Sequence, residues 1–108
     1  MTIINLTPHD INICLDGGLT IPASGECARV AATTVVTDHI MVDGVRIPIT
    51  RTQFGEVEGL PAPQEDTLYV VSSLVATACP GRDDLVIPNE AVRDDKGRII
   101  GCRSLGRV

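Results

Sequence analysis

At 108 residues the chain has room for one modest hydrophobic core and not for two. Apolar residues make up 44% and charged residues 21%, the balance of an ordered globular chain rather than a disordered one. With Phe54 and Tyr69 as its only aromatic residues and a net charge of −5, it lacks both the rings that stack single-stranded nucleic acid and the basic face needed for general DNA or RNA binding.

In chain order, Ile3-Ile4-Asn5-Leu6 reads as a short strand, and Ile11 to Leu15 as a second extended piece with Ile11, Ile13 and Leu15 on one face. Between them, Thr7-Pro8-His9-Asp10 has the chemistry of a helix start. Thr7 can accept a backbone N–H, Pro8 suits a first helical position, and Asp10 stands where a capping-box acid belongs. No helix pattern follows, and an unbroken strand would put Asn5, Thr7 and His9 on the apolar face of Ile11 and Ile13. The motif is therefore read as one capped turn, a corner that restarts the strand in a new register. The functional reading is that this corner aims Asn5, Thr7 and His9 at a ligand.

Asp16-Gly17-Gly18 supplies turn residues tolerant of positive φ, Leu19-Thr20-Ile21 resumes an extended path, and Pro22 to Gly25 breaks it. Cys27 to Val36 reads as extended. Ile40-Met41-Val42, then Asp43-Gly44, then Val45 to Ile49 predicts a hairpin, because a type I′ turn needs positive φ at both central positions. Pro48 places its strand at an edge or ends it. The segment from Gln53 to Asp66 reads mostly as an ordered surface loop.

Leu68 to Val71 has the character of a buried strand. Ser72 or Ser73 caps the one credible helix, Ser73 to Cys79, which Pro80-Gly81 terminates. Leu85 to Ile87 is strand-like and stops at Pro88. Asp94 to Gly97 forms a turn joining an arm near Val92 to Arg98 through Cys102. The expected fold is a single α+β, β-rich domain over residues 1–108, with a curled antiparallel or mixed sheet or partly open barrel and one short helix at about 73–79. The alternative is an all-β sandwich.

Cys14, Cys27, Cys79 and Cys102 are scattered, without a C-x-x-C pair. The N-terminal residues have neither a basic n-region nor an apolar h-region, so reduced thiols and a cytoplasmic location are expected, with no membrane association. Adjacent residues on an extended chain point to opposite faces, so His9-Asp10 and Asp38-His39 do not make a metal site. No phosphate-cradling or nucleophile-elbow motif is present. Ser72, His9 and Asp83 supply the residue types of a hydrolase triad with nothing to position the nucleophile. No catalytic residue and no cofactor are assigned. The basic residues are eight Arg and one Lys, Lys96, and guanidinium forks match phosphate oxygens. Arg82, Arg93 and Arg103 are the candidates for lining an anion groove, with Arg93 and Arg103 meeting on one face of the last hairpin.

Several stretches in fixed order carry a resemblance. They are Asn5-Leu6-Thr7-Pro8-His9, Ile21 to Gly25 followed by Ala28-Arg29-Val30, Phe54 to Pro61, Tyr69 to Ser72, Arg82 to Leu85 with Pro88, and Arg93-Asp94 through Gly97 to Cys102. Together they resemble a family of small proteins from bacteriophages, prophages and bacteria that begin N-L-T-P-H. The resemblance implies a phage or mobile-element origin and brings no activity or catalytic set with it. With the Arg bias, it leads to the expectation of a non-enzymatic accessory protein of the bacterial host's cytoplasm. Such a protein would sequester a small phosphorylated, nucleotide-derived immune signal of the host through Asn5, Thr7, His9, Tyr69, Arg82, Arg93 and Arg103, as a homo-oligomer. The alternative is a protein-interaction module that inhibits a host enzyme or assists phage assembly, with the loop 53–66 as its recognition element.

Overall fold

The computed structural model describes all residues, 1–108. Its elements in chain order are β1 (Thr2–Asn5), β2 (Ile11–Ile13), β3 (Leu19–Ile21), β4 (Arg29–Val42), β5 (Val45–Glu58), β6 (Thr67–Val70), α1 (Ser73–Ala78), β7 (Leu85–Arg93) and β8 (Ile99–Gly106). Six strands form one curled mixed sheet in the order β1-β6-β7-β8-β2-β3, and β4 and β5 pair only with each other. A parallel bridge between Asn5 and Ala23, just past β3, brings the far edge of the sheet back to β1 and nearly closes the ring. The β-rich α+β class with one short helix is the architecture expected from the sequence.

The core lies where β6 and the start of β7 meet α1 and the base of the β4–β5 hairpin. Leu6, Ala28, Tyr69, Val71, Val75, Ala76 and Leu85 form a single buried cluster, with Val30 and Val57 packed against it. Tyr69, the largest of these, has no exposed surface, and its hydroxyl donates to the Ala62 carbonyl at 3.3 Å. The helix starts as its composition dictates: the Ser72 hydroxyl accepts the Val75 N–H, and the chain leaves the helix at Cys79 before Pro80.

Turn chemistry sets the hairpins. Asp16, Gly17 and Gly18 all have positive φ, as do Asp43 and Gly44 between β4 and β5, and Gly97 between β7 and β8. Asp94 organises the last of these turns, its carboxylate accepting the N–H groups of Lys96 and Arg98.

Two expectations about the strands require correction, and one open choice is decided. Residues 53–58 are the end of β5 rather than part of a loop, because they pair with the base of β4, where Val57 faces Val30; only residues 59–66 are irregular. Of the two alternatives at Pro48 the edge is the one observed: it lies opposite His39 in a ribbon whose outer edges have no neighbour strand, and β5 runs on past it. Pro88 does not end β7 either. β6 pairs only with Leu85 and Val86, so from Ile87 onward β7 has a partner on one side alone and the missing N–H interrupts no ladder.

The β4–β5 hairpin projects from the body. Strands of 14 residues extend roughly 45 Å. The radius of gyration is 17.4 Å, against about 13 Å for a chain of this length folded into a ball.

Candidate functional site

The N-terminal corner is organised by Asn5 rather than by Thr7. The Asn5 side chain is buried, and its Oδ1 accepts the Thr7 N–H at 3.0 Å, an Asx turn in which asparagine takes the capping role. Its Nδ2 donates to the carbonyls of His9, at 2.8 Å, and Ile21, at 3.1 Å. The Thr7 hydroxyl lies 2.6 Å from Asn5 Oδ1 and 3.0 Å from the His9 carbonyl and donates to one at a time. Asp10 accepts the Ala23 N–H, fastening the corner to the strand that closes the sheet. Residues 7–9 form a bend with no helical turn, and Asn5 and Thr7 are committed to holding it.

Beyond this corner lies the chain's one cavity, an open cleft of about 560 Å³ between β2, β7 and β8. Its polar lining comes from His9, Asp10, Asn12, Asn89 and Glu90, and its apolar lining from Ile11, Pro88, Ala91, Ile99 and Ile100. The β2–β8 side is closely fitted. A Cβ on Gly101 would stand 2.6 Å from the Cys14 sulfur and 2.7 Å from the Asn12 carbonyl oxygen, so only glycine lets the strands approach this far. Glu90 has φ +54 within β7, a conformation that costs a non-glycine residue about 1 kcal/mol or more and that concentrates at functional sites. No lysine or arginine lines the cleft, and two carboxylates do.

Of the residues proposed from the sequence, His9 alone reaches this cleft, and the corner formed by Asn5 and Thr7 holds it there. Tyr69 is enclosed in the core and has no face to offer a ligand. Arg82 is engaged by Asp84, its Nε and Nη2 each donating to a carboxylate oxygen at 2.8 Å, and Nη2 also reaches the Pro61 carbonyl. That hydrogen bonding holds the Asp84 carboxyl below its ordinary value and raises the guanidinium's. Arg93 donates to the Gly97 carbonyl of its own hairpin at 2.8 Å. Arg103 is exposed on β8, and Arg93 pairs with Ile99 several residues away along the ladder. The three arginines do not form one groove. Asn12, Asn89 and Glu90 were not legible as site residues, since β7 and β2 meet only through the pairing of both with β8.

The second feature is the projecting hairpin. Residues opposed in an antiparallel ladder share a face, so the register puts Val42 with Val45, Ile40 with Ile47, Asp38 with Ile49 and Val35 with Arg51 on one side. Thr37 is an extra residue in β4, and β5 continues its alternation past it. The other side carries Met41 with Arg46, His39 with Pro48 and Val36 with Thr50, and there the Arg46 guanidinium lies 3.4 Å from His39 Nδ1. The first face holds six aliphatic side chains, Val35, Ile40, Val42, Val45, Ile47 and Ile49, each 37–59% exposed. Nothing in the chain covers them.

All four cysteines are free, no group of three or more His, Cys, Asp or Glu is placed to hold a metal ion, and no helix is long and apolar enough to cross a membrane. No protein-family model matches this chain, and no curated protein or solved structure matches it.

Proposed function

We propose that this chain is a non-enzymatic protein-interaction module whose recognition element is the β4–β5 arm. The carrying observation is the six-residue aliphatic face left in solvent on an arm that projects from the body. Contiguous apolar surface of several hundred Å² marks an interaction site, and two-stranded ribbons gain stability by packing on a further element. The resemblance to N-L-T-P-H phage proteins fits inhibition of a host protein or a part in phage assembly. The test is affinity capture on the immobilised full chain, with Ile40→Glu/Ile47→Glu as the comparison. A protein retained in stoichiometric amount by the wild type and lost by the variant, this chain itself included, supports the reading. No protein retained by either refutes it.

The cleft favours a second reading, binding of a small molecule beside His9. Its size suits a small ligand, and its acidic, arginine-free lining suits a neutral or cationic group better than a phosphate. Calorimetry with nucleosides and with mono-, cyclic and ADP-ribose-type nucleotides separates the possibilities. Nucleoside binding lost in His9→Ala supports the cleft. Phosphate-dependent binding lost on substitution of Arg82, Arg93 or Arg103 supports sequestration of a phosphorylated signal instead.

A further inference from the structure

We propose that the partner of the arm's aliphatic face is the same face of a second copy of this chain, the two arms packing about a two-fold axis along their length. The proposal rests on the reading of the arm as an interaction element and adds the identity of the partner. Three features of the face favour a copy of itself.

First, a two-fold along the arm places β4 of one copy over β5 of the other, level by level. Val42 then meets the partner copy's Val45, and Ile40 its Ile47, so apolar residues cover apolar residues at these two levels. Second, the charges on this face are one acid and one base. Asp38 lies beside Ile49 and Arg51 beside Val35, at neighbouring levels of the ladder. Neither forms an ion pair within the chain: the Asp38 carboxylate accepts only the His39 N–H, and Arg51 makes no side-chain hydrogen bond. In the two-fold arrangement each Asp38 lies over the other copy's Ile49, one level from that copy's Arg51 and within reach of its long side chain, so the two charges of the face find opposite charges on a copy of itself. Third, the area suffices. Six half-exposed aliphatic side chains and their polar rim would bury on the order of 1,200 Å² in total between two copies, the lower bound for a specific interface.

The test uses light scattering and sedimentation of the full chain across a concentration series, with circular dichroism confirming the fold of each variant. The wild type is expected at the mass of two chains at tens of micromolar, and Ile47→Glu at the mass of one. Asp38→Arg and Arg51→Asp are each expected to weaken dimerisation at least tenfold, through two repulsive contacts. Their equimolar mixture is expected to restore it, because position 38 of each copy is then opposite in charge to position 51 of the other. Should Ile47→Glu fail to fold, the two charge variants and their mixture still decide the question.

A wild type monomeric at 100 μM overturns the self-partner while leaving the interaction reading to the capture experiment. A dimer that persists in Ile47→Glu overturns the assignment of the interface to this face. A mixture no more associated than its two components overturns the charge pairing, and a wild-type mass of three chains overturns the two-fold.

Discussion

Replacing Asn5 by alanine is the sharpest test of how the N-terminal corner is held. The side chain is 1% exposed and serves two donors and two acceptors, all within residues 5–21. Not all of these count equally. His9 is exposed, so its carbonyl can turn to water, and the Thr7 hydroxyl can donate to that same carbonyl instead. The Ile21 carbonyl is buried and loses the side-chain bond outright, and the Thr7 N–H is half-shielded. Leaving one buried and one partly buried group without this partner costs about 3 kcal/mol, with a small cavity term added. For a chain of this length that is a fall in Tm of about 12 °C, at roughly 4 °C per kcal/mol. Urea unfolding followed by circular dichroism measures the same quantity independently. Thr7→Val is the control: it removes one hydroxyl with a second acceptor at hand, and about 1 kcal/mol is expected. Asn5→Asp keeps both acceptor functions but turns an anionic oxygen toward two carbonyls, so it should destabilise at least as much as alanine at pH 7. A loss below about 1 kcal/mol in Asn5→Ala would mean that water serves the corner as well as asparagine does, and the account of Thr7-Pro8-His9-Asp10 as an asparagine-held corner would fall.

Other perturbations probe the rest of the molecule. Gly101→Ala forces β2 away from β8, since the new methyl would lie 2.6 Å from the Cys14 sulfur; a loss of about 1–3 kcal/mol in chemical unfolding is expected, and an unchanged midpoint would refute the close approach. Glu90→Gly relieves a positive φ and should leave stability equal or raise it by up to ~1 kcal/mol. A marked destabilisation there would mean that the Glu90 side chain contributes more than its backbone costs. Asp84 and Asp94 both have carboxyls held below the ordinary value, the first chiefly by Arg82 and the second chiefly by the Arg98 N–H. Their folded values are depressed, so their contribution is fully present above the unfolded carboxylate range, near pH 4, and is lost as pH falls through the folded values. The urea midpoint should therefore drop on acidification below about pH 4. In Asp84→Asn it should start lower at pH 6 and fall less; an equal fall in the variant would show that the Arg82 pair does not couple to folding.

What the sequence revealed was what neighbours along the chain decide. Asp43-Gly44 and Gly97 announce their turns because positive φ is a property of single residues, and Ser72 announces its helix because the cap reaches only three positions ahead. The choice left open at Pro48 and the misreading at Pro88 share one cause. Neither proline could be placed without knowing which side of its strand would carry a partner, and in both cases a free side absorbs the missing donor. The arm was visible only as its tip, since Pro48, Gly55 and the alanines of β4 look like interruptions until the opposite strand is in place. In the cleft, His9 was legible because it belongs to a local motif, whereas Asn89 and Glu90 join it only through pairings that span most of the chain. The arginines drew attention by their number, but Arg82 and Arg93 are held by partners close in sequence, Asp84 and Gly97.

The arm's two faces and two edges also bear on how a partner attaches. A ribbon this long has open edges, and open edges invite strand-by-strand addition and aggregation unless they are blunted. Here they are. β5 carries Pro48, which has no N–H to offer, and β4 carries the extra residue at Thr37, which interrupts its ladder midway and bends the strand. The faces are unequal: one mixes Arg46, His39 and Thr50 with Met41, Val36 and Pro48, and the other carries six aliphatic side chains beside Asp38 and Arg51. A ribbon made only to stand in water would be polar on both faces and would have no use for six aliphatic side chains on one of them. With 13 of 108 residues buried, the body's core is small, and keeping six large aliphatic side chains out of it forfeits roughly 1 kcal/mol or more at each position. Blunted edges and a largely aliphatic face together favour docking by face-to-face packing rather than by sheet extension, and they tie recovery of the forgone burial to assembly.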